Sequence, residues 1–444
     1  MEQWIIFGLT IVVLLLLMVL KPSWLVPLLV FAVALEISIT WYPDFGRIGE
    51  MLGMVSLAKL TSFALILAAF SRVLFLEEMR RKLSAVFRDP LTIMLTLFLV
   101  LGAASVVYSA DPGKTVGETV RLLVLFAVFI SCALLLDKEK TIMGFRVLHL
   151  TALAIAPLTF YEGFTGNLIW QGENLLREET LRVNATFIDP NIFARYIILG
   201  IVSNLVLQLQ VRDKGIKLAY MASLAILLAQ LAFTASRGGL LTVVAILIVA
   251  LIILPNRKAV LWVLGLGALL GLLVVFLQPE MLTRILSIFQ NPEVSNPQRL
   301  YLWKVAIAIF QDHTITGTGL GTFQTVFLSD YAQMQTVEGA TLSHTTVLTI
   351  AAELGVIGLT VLGLIWIALL GKLISLYSSS HSYQNLFHDD GNEYYIGAGS
   401  FLWALTVFIS SQGEGRFFED PIFWLSCAIL VTLKFAREYN VKLS

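Results

Sequence analysis

Charge is scarce in this chain: Asp, Glu, Lys and Arg supply 14% of 444 residues, while 58% are hydrophobic. So few charges cannot clothe a soluble domain of this length, which excludes a water-soluble fold. The 30 basic residues are matched by 30 acidic ones, so the basic surplus that nucleic-acid binding requires is missing too. Cysteine is nearly absent. Cys132 and Cys427 both lie inside apolar runs, and no disulfide framework follows from them. There is no internal repeat, which counts against inverted-repeat transporters, and no low-complexity segment or disordered linker. The first apolar run begins at Trp4 with no basic leader, and a second follows directly after Lys21-Pro22-Ser23, so the first reads as a retained span and not a cleaved signal peptide.

What the chain does have is long hydrophobic runs, with a mean hydropathy of +0.85. Stretches near the roughly 20 residues needed to span a bilayer occur at 4–20, 24–41, 58–76, 91–109, 118–136, 143–161, 192–210, 216–234, 238–255, 259–277, 354–377, 394–411 and 420–436. All are expected to be helices, because lipid offers no partner to an open backbone. The expected fold is an all-α polytopic integral membrane protein of 12–13 transmembrane helices, with one large external loop containing short amphipathic helices. It reads as a single membrane-embedded domain, 1–444. N-terminal spans cover 1–161, an external loop 162–191, further spans 192–277, a large external loop 278–353, and C-terminal spans 354–444 with a cytoplasmic loop at 378–393.

Sidedness follows from Lys and Arg, which accumulate in cytoplasmic loops. They cluster at 77–89, 137–140, 211–217, 256–258 and after Lys434. Counting spans from these anchors puts the 278–353 insertion outside. If all thirteen runs cross, the N-terminus is external and the C-terminus cytoplasmic; if one of the first two is re-entrant, both ends are cytoplasmic. Charge within the spans is sparse, Glu36 being the clearest case, and the polar groups collect at one surface. An external reaction has no access to cytoplasmic nucleotide sugars or ATP, so its substrate must arrive activated and membrane-borne.

Arg299 follows Ser295-Asn296-Pro297-Gln298, in which Ser295 or Asn296 can cap, Pro297 suits an early helical position, and Ser295 with Gln298 matches a capping box. Leu300, Trp303, Ile307 and Phe310 fall on one stripe, which predicts a helix lying on the membrane surface. Arg299 in its first turn can bind an anion with a bidentate fork, or can anchor the helix to lipid headgroups. Arg237, in FTASRGGLL, sits where one span gives way to the next, facing either a cavity or the headgroups; Gly238 and Gly239 are expected to close that turn and let backbones approach. Asp189-Pro190 reads as a helix cap with proline at the first position, placing Arg195 about a turn further on.

His344 stands where the insertion re-enters hydrocarbon. It can act as a general base, or it can be an ordinary polar boundary residue. On a helix starting near it, Val347, Leu348 and Ala351 would share its face and Glu353 would fall opposite, as a cap or ion-pair partner. TGTGLGTF (316–323) looks like a dinucleotide fingerprint, but no strand precedes it, so its glycines are read as turn formers. His381, His388, Asp389 and Asp390 fit no zinc spacing, and a solvated loop is the default there.

Four stretches in order, NATFIDPNIFARY (184–196), TASRGGLL (234–241), QRLYLWKVAIAIFQDHTITGTGLGTF (298–323) and SHTTVLTIAAELGVIGLTVLGL (343–364), resemble the superfamily of bacterial O-antigen ligases and O-antigen polymerases. The resemblance implies a polytopic enzyme of the bacterial inner membrane, active on the periplasmic face in lipopolysaccharide biosynthesis. It implies an undecaprenyl-diphosphate-linked glycan as donor, a lipid or glycan hydroxyl as acceptor, and no metal, nucleotide or other cofactor. His344 matches the histidine that activates the acceptor; Arg237 and Arg299 match arginines that hold the diphosphate, with Arg195 as a third. One departure is Thr345, where the family often has Asn. The leading expectation is a ligase-type glycan transferase, the alternatives being a repeat-unit polymerase and a lipid-linked glycan transporter.

Overall fold

An apolar run in lipid has to satisfy its own backbone, and this chain does so with helices throughout. The computed structural model describes residues 2–45, 54–170, 182–277, 297–331, 343–383, 390–415 and 417–441, with no strand among them. Nine helical segments among the described residues are long and apolar enough to cross a membrane, and three shorter apolar helices accompany them. The protein is an all-α polytopic membrane protein.

The N-terminal helices are α1 (Glu2–Leu20), α2 (Leu25–Val33) and α3 (Leu57–Phe75), followed by the amphipathic α4 (Glu77–Phe87). Next come α5 (Pro90–Ala104), α6 (Pro112–Leu135), α7 (Lys138–Ala154) and α8 (Ala156–Thr165). The middle of the chain forms α9 (Pro190–Gln210), α10 (Lys214–Phe233), α11 (Arg237–Ile253) and α12 (Arg257–Leu277). The insertion contributes α13 (Pro297–Asp312) and the short α14 (Phe323–Val326), after which α15 (Thr346–Tyr383), α16 (Asp390–Glu414) and α17 (Pro421–Val441) complete the chain.

Many of these helices begin on an acidic cap. Asp89, Asp111, Asp137, Asp189 and Asp213 each accept a first-turn N–H with a side-chain oxygen. Each such cap contributes about 1 kcal/mol.

Hydrogen bonds between loops sort the helix ends into two sets. At one end, Gln3 Nε2 donates to Thr40 O at 3.1 Å, Leu57 N to Ser38 Oγ at 3.0 Å, and Ile37 N to Thr186 O at 3.0 Å. Here lie the starts of α1, α3, α6, α9, α11, α15 and α17, and the candidate site residues with them. At the opposite end, Lys82 Nζ reaches Leu134 O at 2.7 Å, Lys140 lies 5.0 Å from the Trp24 ring centroid, and Lys372 pairs with Asp89. The Lys- and Arg-rich segments belong to this second end.

The run 24–41, expected as one span, is broken. It forms α2 and then a separate 3₁₀ turn, Glu36–Thr40, so Glu36 sits at the site end and not in mid-span. Its carboxylate accepts the Ile188 N–H at 2.8 Å, which answers the cost of placing a charge there.

The core centres on α9, most of whose residues are buried. Small residues let neighbours close in: a Cβ on Gly200 would lie 2.9 Å from that of Ala152 in α7, and one on Gly399 of α16 would lie 2.5 Å from Val206 Cγ2. Trp403 stacks on Phe145 at 4.0 Å and donates its indole N–H to Leu199 O at 3.2 Å. This rigid centre fixes the helix ends from which the site is built.

A second, smaller core belongs to the insertion. Leu302, Val305, Ala306 and Ile309 of α13 pack with Phe323, Val326, Phe327 and Ala352. The stripe of Leu300, Trp303, Ile307 and Phe310 lies on the other, less buried side, Ile307 being 44% exposed. Apolar residues occupy both sides of α13, so periodicity alone could not tell them apart. Tyr331 closes this core: its hydroxyl donates to Asp312, and burial together with that carboxylate pushes the phenol up to about 12. Residues Ser295 and Asn296, expected to cap α13, lie outside the described residues, as do His388 and Asp389.

Candidate active site

Arg237 opens α11, and its placement begins one residue earlier. Ser236 caps the helix, its Oγ accepting Gly239 N at 3.0 Å while donating to Asn191 Oδ1 at 2.8 Å. The turn itself is made by Ala235, which takes a φ of 48°. Gly238 and Gly239 lie inside the first helical turn, so the expected division of labour is corrected: a non-glycine closes the turn, and Gly239 permits close approach, a Cβ there falling 2.9 Å from that of Ala194. Arg237 is half-buried at this junction.

Arg182 was not singled out from the sequence, yet it joins the same network. Its Nη2 donates to Asn191 Oδ1 at 2.7 Å and its Nε to Thr234 O at 3.4 Å. Asn191 thus ties Arg182 to the residue before Arg237. The signal available was a basic residue beside the Asn184–Tyr196 stretch, which by itself distinguishes nothing.

Arg195 is 6% exposed, and its Nε lies 3.0 Å from Asp420 Oδ2. Asp420 also caps α17, accepting Ile422 N at 2.8 Å. The pair lines a cavity of about 110 Å³ with Glu36, Tyr196 and Glu419. A charge this deep needs such a partner, and Asp420 supplies it.

Arg299, in the first turn of α13, is half-buried and approaches the end of α16: a Cβ on Gly413 would lie 3.7 Å from its Nη1. The first-turn N–H groups and a guanidinium together make a site attractive to an anion.

His344 lies just ahead of α15 with a φ of 56°, outside the helix, so a helical wheel does not govern which residues it faces. That corrects the expected sharing of a face with Val347, Leu348 and Ala351. The segment is pinned on both sides. Ser343 Oγ accepts Thr345 N at 3.2 Å and bonds Thr349 Oγ1 at 2.8 Å. Thr345 Oγ1 donates to Gln412 O at 3.2 Å, Thr346 Oγ1 to Ser411 O at 3.4 Å, and Val347 N to Gln412 Oε1 at 3.4 Å.

The last turn of α16 is thus the meeting point. Ser411 and Gln412 hold the His344 segment, Gly413 abuts Arg299, and Ser410 reaches Thr242 of α11, the helix that Arg237 begins, at 3.5 Å. The elements carrying Arg237, Arg299 and His344 converge here; Arg195 stands apart on the α17 side, linked through the contact of Ala194 with Gly239. Among the described residues the non-glycine positions with positive φ are Ala185, Ala235 and His344, all in loops at this end. Such conformations cost of order 1–3 kcal/mol each and persist where the surroundings enforce them.

Among the described residues no group of three or more His, Cys, Asp or Glu is placed to hold a metal ion. The arrangement brings the segment carrying His344, the helix that begins at Arg237 and the helix that carries Arg299 to the end of one helix, α16. Residues 222–363 match the family model described as O-antigen ligase.

This match supports the O-antigen ligase superfamily.

The matched segment takes in Arg237, Arg299 and His344, and it ends before Gln412 and Asp420. Arg182 and Arg195 precede it. No curated protein matches the chain.

Proposed function

We propose that the protein is a glycan transferase. It moves an oligo- or polysaccharide from an undecaprenyl-diphosphate carrier to an acceptor hydroxyl at the periplasmic face of the bacterial inner membrane, in the manner of an O-antigen ligase. The observation that carries this reading is the convergence on the last turn of α16 of the elements bearing Arg237, Arg299 and His344, three residues that lie within the segment matching the O-antigen ligase family model. The location of the Lys- and Arg-rich loops at the far end supports the periplasmic orientation.

In this reading Arg237 and Arg299 grip the diphosphate, assisted by the positive ends of α11 and α13. Arg195, paired with Asp420, is a third basic residue at the edge of the donor site. His344 takes the proton from the acceptor hydroxyl as its oxygen attacks the anomeric carbon. The new C–O bond forms as the bond to the carrier diphosphate breaks, and the electron pair leaves with the diphosphate. The guanidinium groups offset the charge developing there. In-line attack inverts the anomeric centre. The carrier supplies the activated bond, so the reaction draws on no metal or nucleotide.

The test is reconstitution. Purified protein in vesicles with carrier-linked glycan and a lipid acceptor is expected to yield glycosylated acceptor and free undecaprenyl diphosphate, with inverted linkage. Chain lengthening with no lipid acceptor present would instead identify a polymerase. Retained anomeric configuration would remove direct in-line attack.

A further inference from the structure

Helix α15 is not continuous: at Gly355 the backbone turns to φ 62°, ψ −157°. In an unbroken helix Val356 N would bond Ala352 O and Ile357 N would bond Glu353 O, so the break strands these groups. The glycine-rich loop takes up each of them. Thr318 N donates to Ala352 O at 3.1 Å and Gly319 N to Glu353 O at 2.8 Å. In return Val356 N donates to Thr314 O at 2.8 Å and Ile357 N to Ile315 O at 3.4 Å. The loop is spliced into the helix, and it fits only without side chains at the crossing: a Cβ on Gly317 would lie 2.2 Å from Glu353 C, and one on Gly355 2.4 Å from Ile315 O.

Glu353 adds the lock. It is 4% exposed, and its two carboxylate oxygens accept Gly321 N at 2.8 Å and Phe323 N at 3.1 Å. The outer side of the loop is tied down as well. Leu320 N donates to Ser105 Oγ at 3.0 Å, Ala110 N to Thr318 O at 2.9 Å, and Tyr108 OH to Thr316 O at 3.1 Å, anchoring the loop to the corner between α5 and α6.

The position of this splice gives it leverage. Thr314 and Ile315 follow the end of α13, so α13 and the part of α15 ahead of the break form a parallel pair, packed through Leu302, Val305, Ala306, Ile309, Leu348 and Ala352. The splice fixes one end of that pair. At the other end stand Arg299 and His344, both against the last turn of α16. A slip of one residue in the splice would displace one partner by about 1.5 Å along its axis.

Resting on the function proposed above, we infer that Glu353 is a positioning residue: through the 316–323 loop it holds the helix bearing Arg299 and the helix following His344 in a single frame, setting the base relative to the bound diphosphate. Misplacement by about 1 Å is enough to lower a rate by two orders of magnitude.

The experiment compares Glu353→Gln with the full-length wild type in vesicles. The amide keeps the shape and one acceptor, but turns an NH₂ toward the second N–H. Turnover per folded molecule is expected to fall about 10- to 100-fold while KM for the acceptor is unchanged. Binding of undecaprenyl diphosphate, used as the probe, should weaken by a smaller factor. Thr318→Val, which removes the side-chain bonds of Thr318 to Ala352 O at 3.3 Å and to Thr322 Oγ1 at 2.8 Å but leaves the backbone splice, should show the same pattern at smaller size and guards against misfolding of the first variant. Loss of folded protein or of Tm, with wild-type turnover in the molecules that do fold, would overturn the inference in either variant. If His344→Ala keeps full activity, the proposed function fails instead; if it is inactive while both clasp variants turn over normally, only the positioning role fails.

Discussion

Thr345 Oγ1 donates to the Gln412 carbonyl at 3.2 Å, so the residue following His344 is anchored to the last turn of α16. The left-handed backbone of His344 is held between this anchor and the Ser343–Thr345 turn. Thr345→Val removes the anchor without changing size. Turnover is expected to drop about fivefold, in line with the loss of roughly 1 kcal/mol of hydrogen bonding, with carrier binding preserved. Steady-state kinetics on the reconstituted enzyme reads this directly; equal loss in carrier affinity would show that the segment serves binding instead.

Replacing Arg195 by Ala leaves the Asp420 carboxylate buried and unpaired. Breaking such a pair costs about 3–5 kcal/mol, so a marked fall in the thermal unfolding midpoint in detergent is expected. Arg195→Gln combined with Asp420→Asn, which retains an acceptor for Ile422 N, should recover most of it. If the double variant folds well and still binds undecaprenyl diphosphate as tightly as wild type, Arg195 serves the fold and not the donor.

Two glycines should respond in opposite ways. Gly317→Ala puts a Cβ 2.2 Å from the Glu353 carbonyl carbon at a φ of 68°, and should abolish folding or activity. Gly238→Ala meets nothing within 4 Å inside the first turn of α11. It should leave the fold intact or gain about 0.5–1 kcal/mol from helix propensity. Any penalty it carries should appear in KM for the carrier, because the open space beside Arg237 is where a diphosphate would approach. Wild-type KM in Gly238→Ala would argue against that approach.

Much of the fold was legible because membrane spans announce themselves by length and composition, and because caps such as Asp189-Pro190 mark their own helix starts. The site was legible only as types of residue at span ends. Arg237 and His344 could be picked out because a charge or imidazole beside hydrocarbon demands an explanation. Nothing local reveals that Ser410 to Gly413, near the end of a different helix and almost seventy residues past His344, form the surface on which they meet. Arg182 was missed for the same reason: its partner Asn191 matters only through Ser236, a contact of long sequence separation. The glycines of 316–323 were read correctly as turn formers, yet their use, completing a broken helix at Gly355, depends on a tertiary crossing that no periodicity encodes. The face that α13 packs inward, Leu302, Val305, Ala306 and Ile309, was not picked out from the sequence because both sides of the helix are apolar.

The central claim is that the side chains borne by three converging elements serve one transfer, the arginines holding the lipid diphosphate and His344 deprotonating the acceptor. It is tested most directly by following labelled glycan from undecaprenyl diphosphate to a lipid acceptor in vesicles containing wild type, His344→Ala, Arg237→Ala or Arg299→Ala. Loss of a general base is expected to lower turnover about 10²- to 10⁴-fold in His344→Ala with carrier still bound, while the arginine variants lose carrier affinity and turnover together. Wild-type transfer by His344→Ala and Arg237→Ala would contradict the account.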